Sequence, residues 1–321
     1  MSAAAGAPRK GPPPAPSTET TGEALGEAPF GRAELGLYAI TVFAWSASWY
    51  ALKVNAASGV DPAVSTAWRF ALASAAMFAW ARLAGEPLRH GLARHAGFAG
   101  LGVFLFSTNF ILFYQASLAL VSGLLAVVFS LASVVNLLLG ALRGDLAGPR
   151  RWFGAALGAT GIALLYWPEI ADGVHGRLAL ALCLGGTLSF CIGNQVSQAL
   201  QRKRVPVLAS SAWGMAYGTL WSALVAASLG APFRFEASAP YVLSLVFLVI
   251  VSTLLAFRAY LALVGRVGAA RASYATVMFP VFALLLSTRL EGWTWTPLAL
   301  AGVAFALLGN LFVLRGARAR R

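Results

Sequence analysis

The chain repeats one apolar pattern at a separation close to half its length. Ala67-Trp68 returns as Ala212-Trp213, Tyr114 as Tyr260, and the pair Gly154/Gly161 as Gly302/Gly309, at offsets of 145, 146 and 148 residues. Each half holds five segments long enough to cross a bilayer. An odd number of crossings forces the second copy into the membrane from the opposite side. Two copies of opposed topology are the architecture of alternating-access carriers, whose substrate sites lie near the midplane between the repeats.

Composition excludes most other classes. Of the 321 residues, 59% are hydrophobic and only 11% charged, against about 25% charged in ordinary soluble domains. A soluble fold this apolar exposes large greasy patches, so a multi-span membrane protein is the default. The net charge of +13 does not imply nucleic acid, because the basic residues lie between apolar segments rather than on one soluble module. Cys183 and Cys191 stand eight residues apart in one apolar stretch, about 12 Å by helical rise and too far for a disulfide. They and the loop histidines His90, His95 and His175 read as structural bystanders; no metal or other cofactor is expected.

Uncharged runs cover 35–52, 96–142, 152–168, 178–201, 205–233, 237–257, 272–288 and 292–314, and 62–81 is interrupted only by Arg69. The run 96–142, as a single helix, is about 70 Å long, over twice the hydrocarbon thickness. It must turn back near Gln115 to Gly123, and a short turn around Arg266 separates spans eight and nine. The expectation is an all-α integral membrane protein of ten transmembrane helices in two inverted five-helix repeats. Residues 1–33 form a disordered cytoplasmic tail, 34–168 the first repeat, 177–314 the second, and 315–321 a basic cytoplasmic tail. Loops on the side shared by both termini carry 17 Lys and Arg and those on the other side carry 4, which puts both termini in the cytoplasm. Trp152 and Trp167 bracket span five as interface anchors. Small residues at Gly154, Gly158, Gly302 and Gly309 allow close helix packing, within the chain or across a homodimer seam.

Several segments carry a family resemblance. Trp45-Ser46-Ala47-Ser48-Trp49-Tyr50-Ala51-Leu52-Lys53 follows the pattern W-G-x-x-F-x-x-x-K, and Arg69-Phe70-Ala71-Leu72-Ala73 follows R-F-x-x-A. The second half has Gly268-Ala269-Ala270-Arg271-Ala272, then Pro280-Val281-Phe282, then Glu291. In this order, at this spacing, the chain resembles the drug/metabolite transporter superfamily, specifically proteins with two EamA domains. The resemblance covers nearly everything after residue 33 and implies ten helices around a central cavity, movement of small metabolites or drugs, and export across the inner membrane. Two positions depart from the pattern: Ser133 stands where the second repeat has Pro280, and Asp145 near the position matched by Glu291. The helix of the first repeat is therefore expected to bend less than the one carrying Pro280.

An ionisable group inside a membrane is costly and marks a functional position by default. No Asp or Glu falls within a span, so the carboxylate relay usual in secondary transporters is absent from the spans as read. Arg69 lies about 10 Å inside the outer surface by rise from Pro62; it either snorkels or pairs with an anionic substrate group. Trp45, Trp49 and Lys53 follow i, i+4, i+8 on one helix face, as an anchored helix end or an aromatic outer vestibule. Arg258 and Arg271 read as snorkelling side chains. Asn109, Tyr114, Asn194, Gln195 and Gln198 lie at depth and must face other helices or the cavity. Tyr260 and Tyr274 are candidate cavity aromatics, and Ser133 and Asn136 can satisfy backbone groups around a bend. The expected partners are a small-molecule substrate and the lipid bilayer, with no nucleic acid. An integral-membrane enzyme acting on lipid-linked substrates is the rival reading. It requires clustered acids or histidines at the interface, whereas Asp61, Glu86, Asp145, Glu169, Asp172, Glu236 and Glu291 are scattered singly.

Overall fold

The computed structural model describes residues 31–144, 147–171, 173–267, 272 and 274–316. Asp145, Asp172, Gly268 to Arg271 and most of both tails lie outside the described residues, and with them the expectations made for Asp145, Arg271 and tail disorder.

Among the described residues ten long helical segments follow one another: α1 (Arg32–Ala56), α2 (Pro62–Leu83), α3 (Leu92–Ser117), α4 (Ser122–Ala141), α5 (Pro149–Ala171), α6 (Val174–Arg202), α7 (Val207–Ser228), α8 (Ala239–Val267), α9 (Ala275–Leu290) and α10 (Pro297–Gly316). By length and apolar composition α1, α3, α4, α6 and α8 are each sufficient to cross a bilayer. The 47-residue apolar run does fold back, through the turn between Ser117 and Ser122. Ten passes bring the chain back to the side on which it starts, here termed the terminal face; the end of the bundle where α1 stops is the far face.

Helix ends are written locally and repeat between halves. Asp61 accepts the Ala63 amide at 2.8 Å, ahead of Pro62 in the first turn of α2, a good start for a helix. Past the ends of α2 and α7, Gly85 and Gly230 adopt φ of 71° and 64°, left-handed conformations that glycine enters without the Cβ clash. The amides that follow, Glu86 and Ala231, close back on Ala81 and Ala226. At the end of α6 that conformation falls on Arg204, φ 55°, where the first repeat has Gly59 at φ 75°.

Packing obeys the same twofold relation. α2 pairs with α7, α4 with α9 and α5 with α10, each helix against its own repeat equivalent. The contacts α3–α6, α4–α6 and α3–α7 are mirrored by α8–α1, α9–α1 and α8–α2. The tightest seam is α5–α10. A Cβ added at Gly309 meets the Gly154 carbonyl oxygen at 2.6 Å, and one added at Gly161 meets the Gly302 carbonyl oxygen at 2.6 Å. These glycines therefore serve packing within the chain.

Two features depart from sequence expectation. First, α3 and α8 each carry a π-helical stretch, Phe104–Thr108 and Phe247–Leu255, at equivalent depths. The extra residue per turn rotates one end of the helix against the other. Second, α9 is continuous through Pro280, while the helix without a proline, α4, is interrupted at Ser130-Leu131. The reason is local. The Ser130 hydroxyl donates to Val127 O at 2.7 Å, the Leu131 amide closes a tight turn on Val128 O at 2.9 Å, and Ser133 turns away to Asn310. Serine hydroxyls compete for helix carbonyls, so the helical hydrogen bonding is interrupted in α4 while α9 stays helical through Pro280.

Candidate functional site

A cavity of about 200 Å³ lies where α4, α6, α9 and α10 meet, and both repeats line it. Phe129, Phe190 and Phe279 supply apolar wall; Ser130, Ser133, Asn136 and Asn310 supply polar groups. The polar set is held in place: Ser133 donates to the Asn310 side-chain oxygen, and Gln195 donates to the Asn136 side-chain oxygen at 3.0 Å. Amides fixed in this way hold donors and acceptors at set positions in an otherwise apolar chamber, the usual build of a small-molecule site.

Toward the far face the chamber is roofed by aromatic rings. Trp49 stands edge-on to Phe113 at 5.0 Å, packs on Phe129 at 5.4 Å and lies nearly parallel to Phe279 at 6.5 Å. Trp45, one turn earlier, packs on Tyr260 at 5.1 Å. The Ser46 hydroxyl reaches across to Phe279 O at 3.0 Å, pinning α1 to α9 beside Pro280.

One turn beyond Trp49 lies an ionic knot. The Lys53 ammonium meets the Glu291 carboxylate at 2.8 Å and donates to Leu120 O at 3.0 Å. Glu291, only 7% exposed, accepts from the Ser122 amide at 3.0 Å, from the Ser122 hydroxyl and from the Ser287 hydroxyl at 2.6 Å. Ser287 in turn accepts the Gly123 amide at 2.8 Å. The carboxylate thus caps the N-terminus of α4, where the helix dipole favours negative charge. It ties α1 and α4 of one repeat to α9 of the other. Burial alone pushes the Glu291 pKa up, but hydrogen bonds from Lys53, Ser122 and Ser287 outweigh it and hold the group below the ordinary carboxylate range.

A second polar cluster lies beside the knot, between α1, α2, α3 and α8. Arg69 is 4% exposed, with its guanidinium 4.4 Å from the Phe110 ring centroid and 5.2 Å from that of Phe70. Its Nε and Nη1 have no hydrogen-bond partner. The Tyr114 hydroxyl is its polar neighbour, outside hydrogen-bonding geometry. Asn55 donates to Tyr241 O and the Ser244 hydroxyl, leaving its Oδ1 unpaired, and Ser65 lies 3.4 Å from the Tyr241 hydroxyl.

The structure therefore brings Trp45, Trp49 and Tyr260 together over the chamber, puts Lys53 in the knot and buries Arg69 with Tyr114. Asn109 is buried with Oδ1 unpaired. Asn194 is half-buried and Gln198 exposed, while Gln195 is the α6 amide bonded across to α4. Tyr274 lines an apolar groove between α1 and α9 with Leu35, Phe43 and Phe282. Arg258 is exposed, 5.9 Å from the Trp80 ring. Ser122, Ser287 and Asn310 were not legible as site residues. The available signal was the i, i+4 spacing of Ser287 and Glu291, which sets both side chains on one helix face.

Comparison with known families decides the class. The model of the EamA-like transporter family matches residues 33–167 and again 177–315. The chain belongs to the EamA-like transporter family. This EamA-like protein is accordingly a multi-pass membrane transporter of metabolites or drugs, built from two repeat halves, and not an enzyme. Thirteen chains of solved structures match it. One, titled only "Crystal structure of protein", is 19% identical, covers 90% of this chain and 99% of its own, and superposes with a TM-score of 0.61, a likeness of fold. No curated protein matches.

Proposed function

We propose that this EamA-like transporter exports small organic solutes across the cytoplasmic membrane by alternating access, with both termini in the cytoplasm and 34–168 and 177–314 as the two moving halves. The far face is then the outer face. The observation that carries the reading is the Lys53–Glu291 knot, which joins the two halves at that face above a chamber that both halves line. This is an outward-closed state. Solute enters from the cytoplasmic side and is held by the fixed amides and the phenylalanine walls. It leaves once the knot and the Trp49 roof part.

The knot also bears on energy coupling. While latched, Glu291 is held ionised at neutral pH by its donors, so opening follows from solute contacts that favour the other state rather than from a proton arriving on a neutral carboxyl. The test is efflux from proteoliposomes loaded with a defined mixture of small organic solutes, read by mass spectrometry with and without a pH gradient. Protein-dependent loss of particular solutes that persists without the gradient supports the reading. Retention of every solute under both conditions overturns it.

A further inference from the structure

We infer that the buried Arg69 cluster is a binding site for the anionic group of an organic anion, reached when the halves part at the far face; this rests on the carrier reading above. A guanidinium stays charged in any protein, and burying an ion without partner or water is among the costliest arrangements a fold can hold. Arg69 is nonetheless 4% exposed, and its Nε and Nη1 have no acceptor.

The knot cannot neutralise it, because the one carboxylate described there, Glu291, is spent on Lys53, Ser122 and Ser287. The faces of Phe110 and Phe70 offset part of the charge but accept no hydrogen bond in the guanidinium plane. The Tyr114 hydroxyl also has no partner and is free to donate. The unpaired guanidinium nitrogens and the Tyr114 hydroxyl are donors of the kind that carboxylates and phosphates recruit. The flanking phenyl rings suit a ligand with an apolar body.

The reciprocal arrangement explains why the site is shut here. Asn55 and Ser65 bind the Tyr241–Ser244 turn of α8 over the cluster, so entry requires α8 to leave α1 and α2. Occupancy then favours the far-open state, because the cluster admits the anion only there.

The experiment is calorimetry and thermal shift on the purified full chain in detergent, with benzoate, phenyl phosphate and the neutral benzamide at constant ionic strength. Saturable binding of benzoate or phenyl phosphate and none of benzamide is expected, and which of the two binds reports carboxylate or phosphate preference. Arg69→Gln should weaken that binding about tenfold or more, the loss of a charge-assisted contact, while Arg69→Lys retains part of it. Equal responses to benzoate and benzamide, or no response to either anion, overturn the inference on the wild-type protein, whatever the variants do. Anion binding without flux in the liposome assay sinks the carrier reading and leaves the site standing; flux of neutral solutes without anion binding does the reverse.

Discussion

At the scale of single residues, Glu291 does more than its position past the end of α9 suggests. Its four donors come from three helices, and Glu291→Gln keeps the shape while removing the charge that Lys53 faces. The change should weaken the far-face closure by about 1–3 kcal/mol. A cysteine at Ser130, with Cys183 and Cys191 replaced by serine, then reacts about tenfold faster with an impermeant maleimide applied at that face. An unchanged rate means that the knot is not a gate. Lys53→Gln should have a similar effect, and the double variant should add little, since both remove one interaction. The pH dependence follows from the sign of the shift. A carboxylate held below its ordinary value contributes closure fully above its unperturbed pKa of about 4.3, and that contribution is lost as pH falls through the lower, folded-state value. Maleimide access, corrected for the thiolate fraction of a free thiol at each pH, should therefore stay flat between about pH 6 and 8; a corrected rise as pH falls through about 7 means that another group holds the face shut.

At the scale of helices, the α5–α10 seam is set by glycines that leave no room. A valine Cβ at Gly309 lands 2.6 Å from Gly154 O, backbone that cannot yield without parting the helices. Gly309→Val should lower the melting temperature by several degrees and cut the yield of folded protein, because overpacking of this kind costs about 1–3 kcal/mol. Gly36→Ala, which meets nothing within 4 Å, should change neither, and equal behaviour of the two variants in fluorescence melting removes the seam from the account. The duplicated spacing of Gly154/Gly161 and Gly302/Gly309 made this pairing readable, and with it the count and opposition of the helices. The π turns of α3 and α8 and the break in α4 were not readable. Hydrophobic periodicity over so short a stretch does not distinguish 3.6 from 4.4 residues per turn, and a serine breaks a helix only when its hydroxyl finds a better acceptor. The same limit applied to the site: Lys53, Trp45 and Trp49 show their common face in sequence, whereas the pairing of Lys53 with Glu291 depends on α1 and α9 meeting across 238 residues of chain.

At the scale of the whole molecule, the twofold relation is broken in how the two faces are closed. The main helix pairings have their mirrors: α2–α7, α4–α9 and α5–α10 are self-mirrored, and α3–α6 and α4–α6 match α8–α1 and α9–α1. Yet the described ion pair on the terminal face, Arg266 with Glu34 at 3.0 Å, has side chains 54% and 22% exposed, and exposed pairs contribute little. The far-face knot is the buried one. On the alternating-access reading proposed above, a carrier with one buried and one exposed closure rests with the exposed side ready to open, and each cycle depends on breaking the buried one. Locking the buried closure should therefore stop turnover without unfolding the protein. Ser122 and Ser287 offer the means, their hydroxyl oxygens lying 3.0 Å apart, close enough for a cysteine pair to bridge. Ser122→Cys with Ser287→Cys, in a background where Cys183 and Cys191 are serine, should lose solute efflux from proteoliposomes on oxidation and recover it on adding dithiothreitol. Binding of the exported solute from the terminal side should survive the lock, because the chamber lies below it. Undiminished efflux with the disulfide formed means that the two halves need not part at this face, and the alternating-access account fails with it.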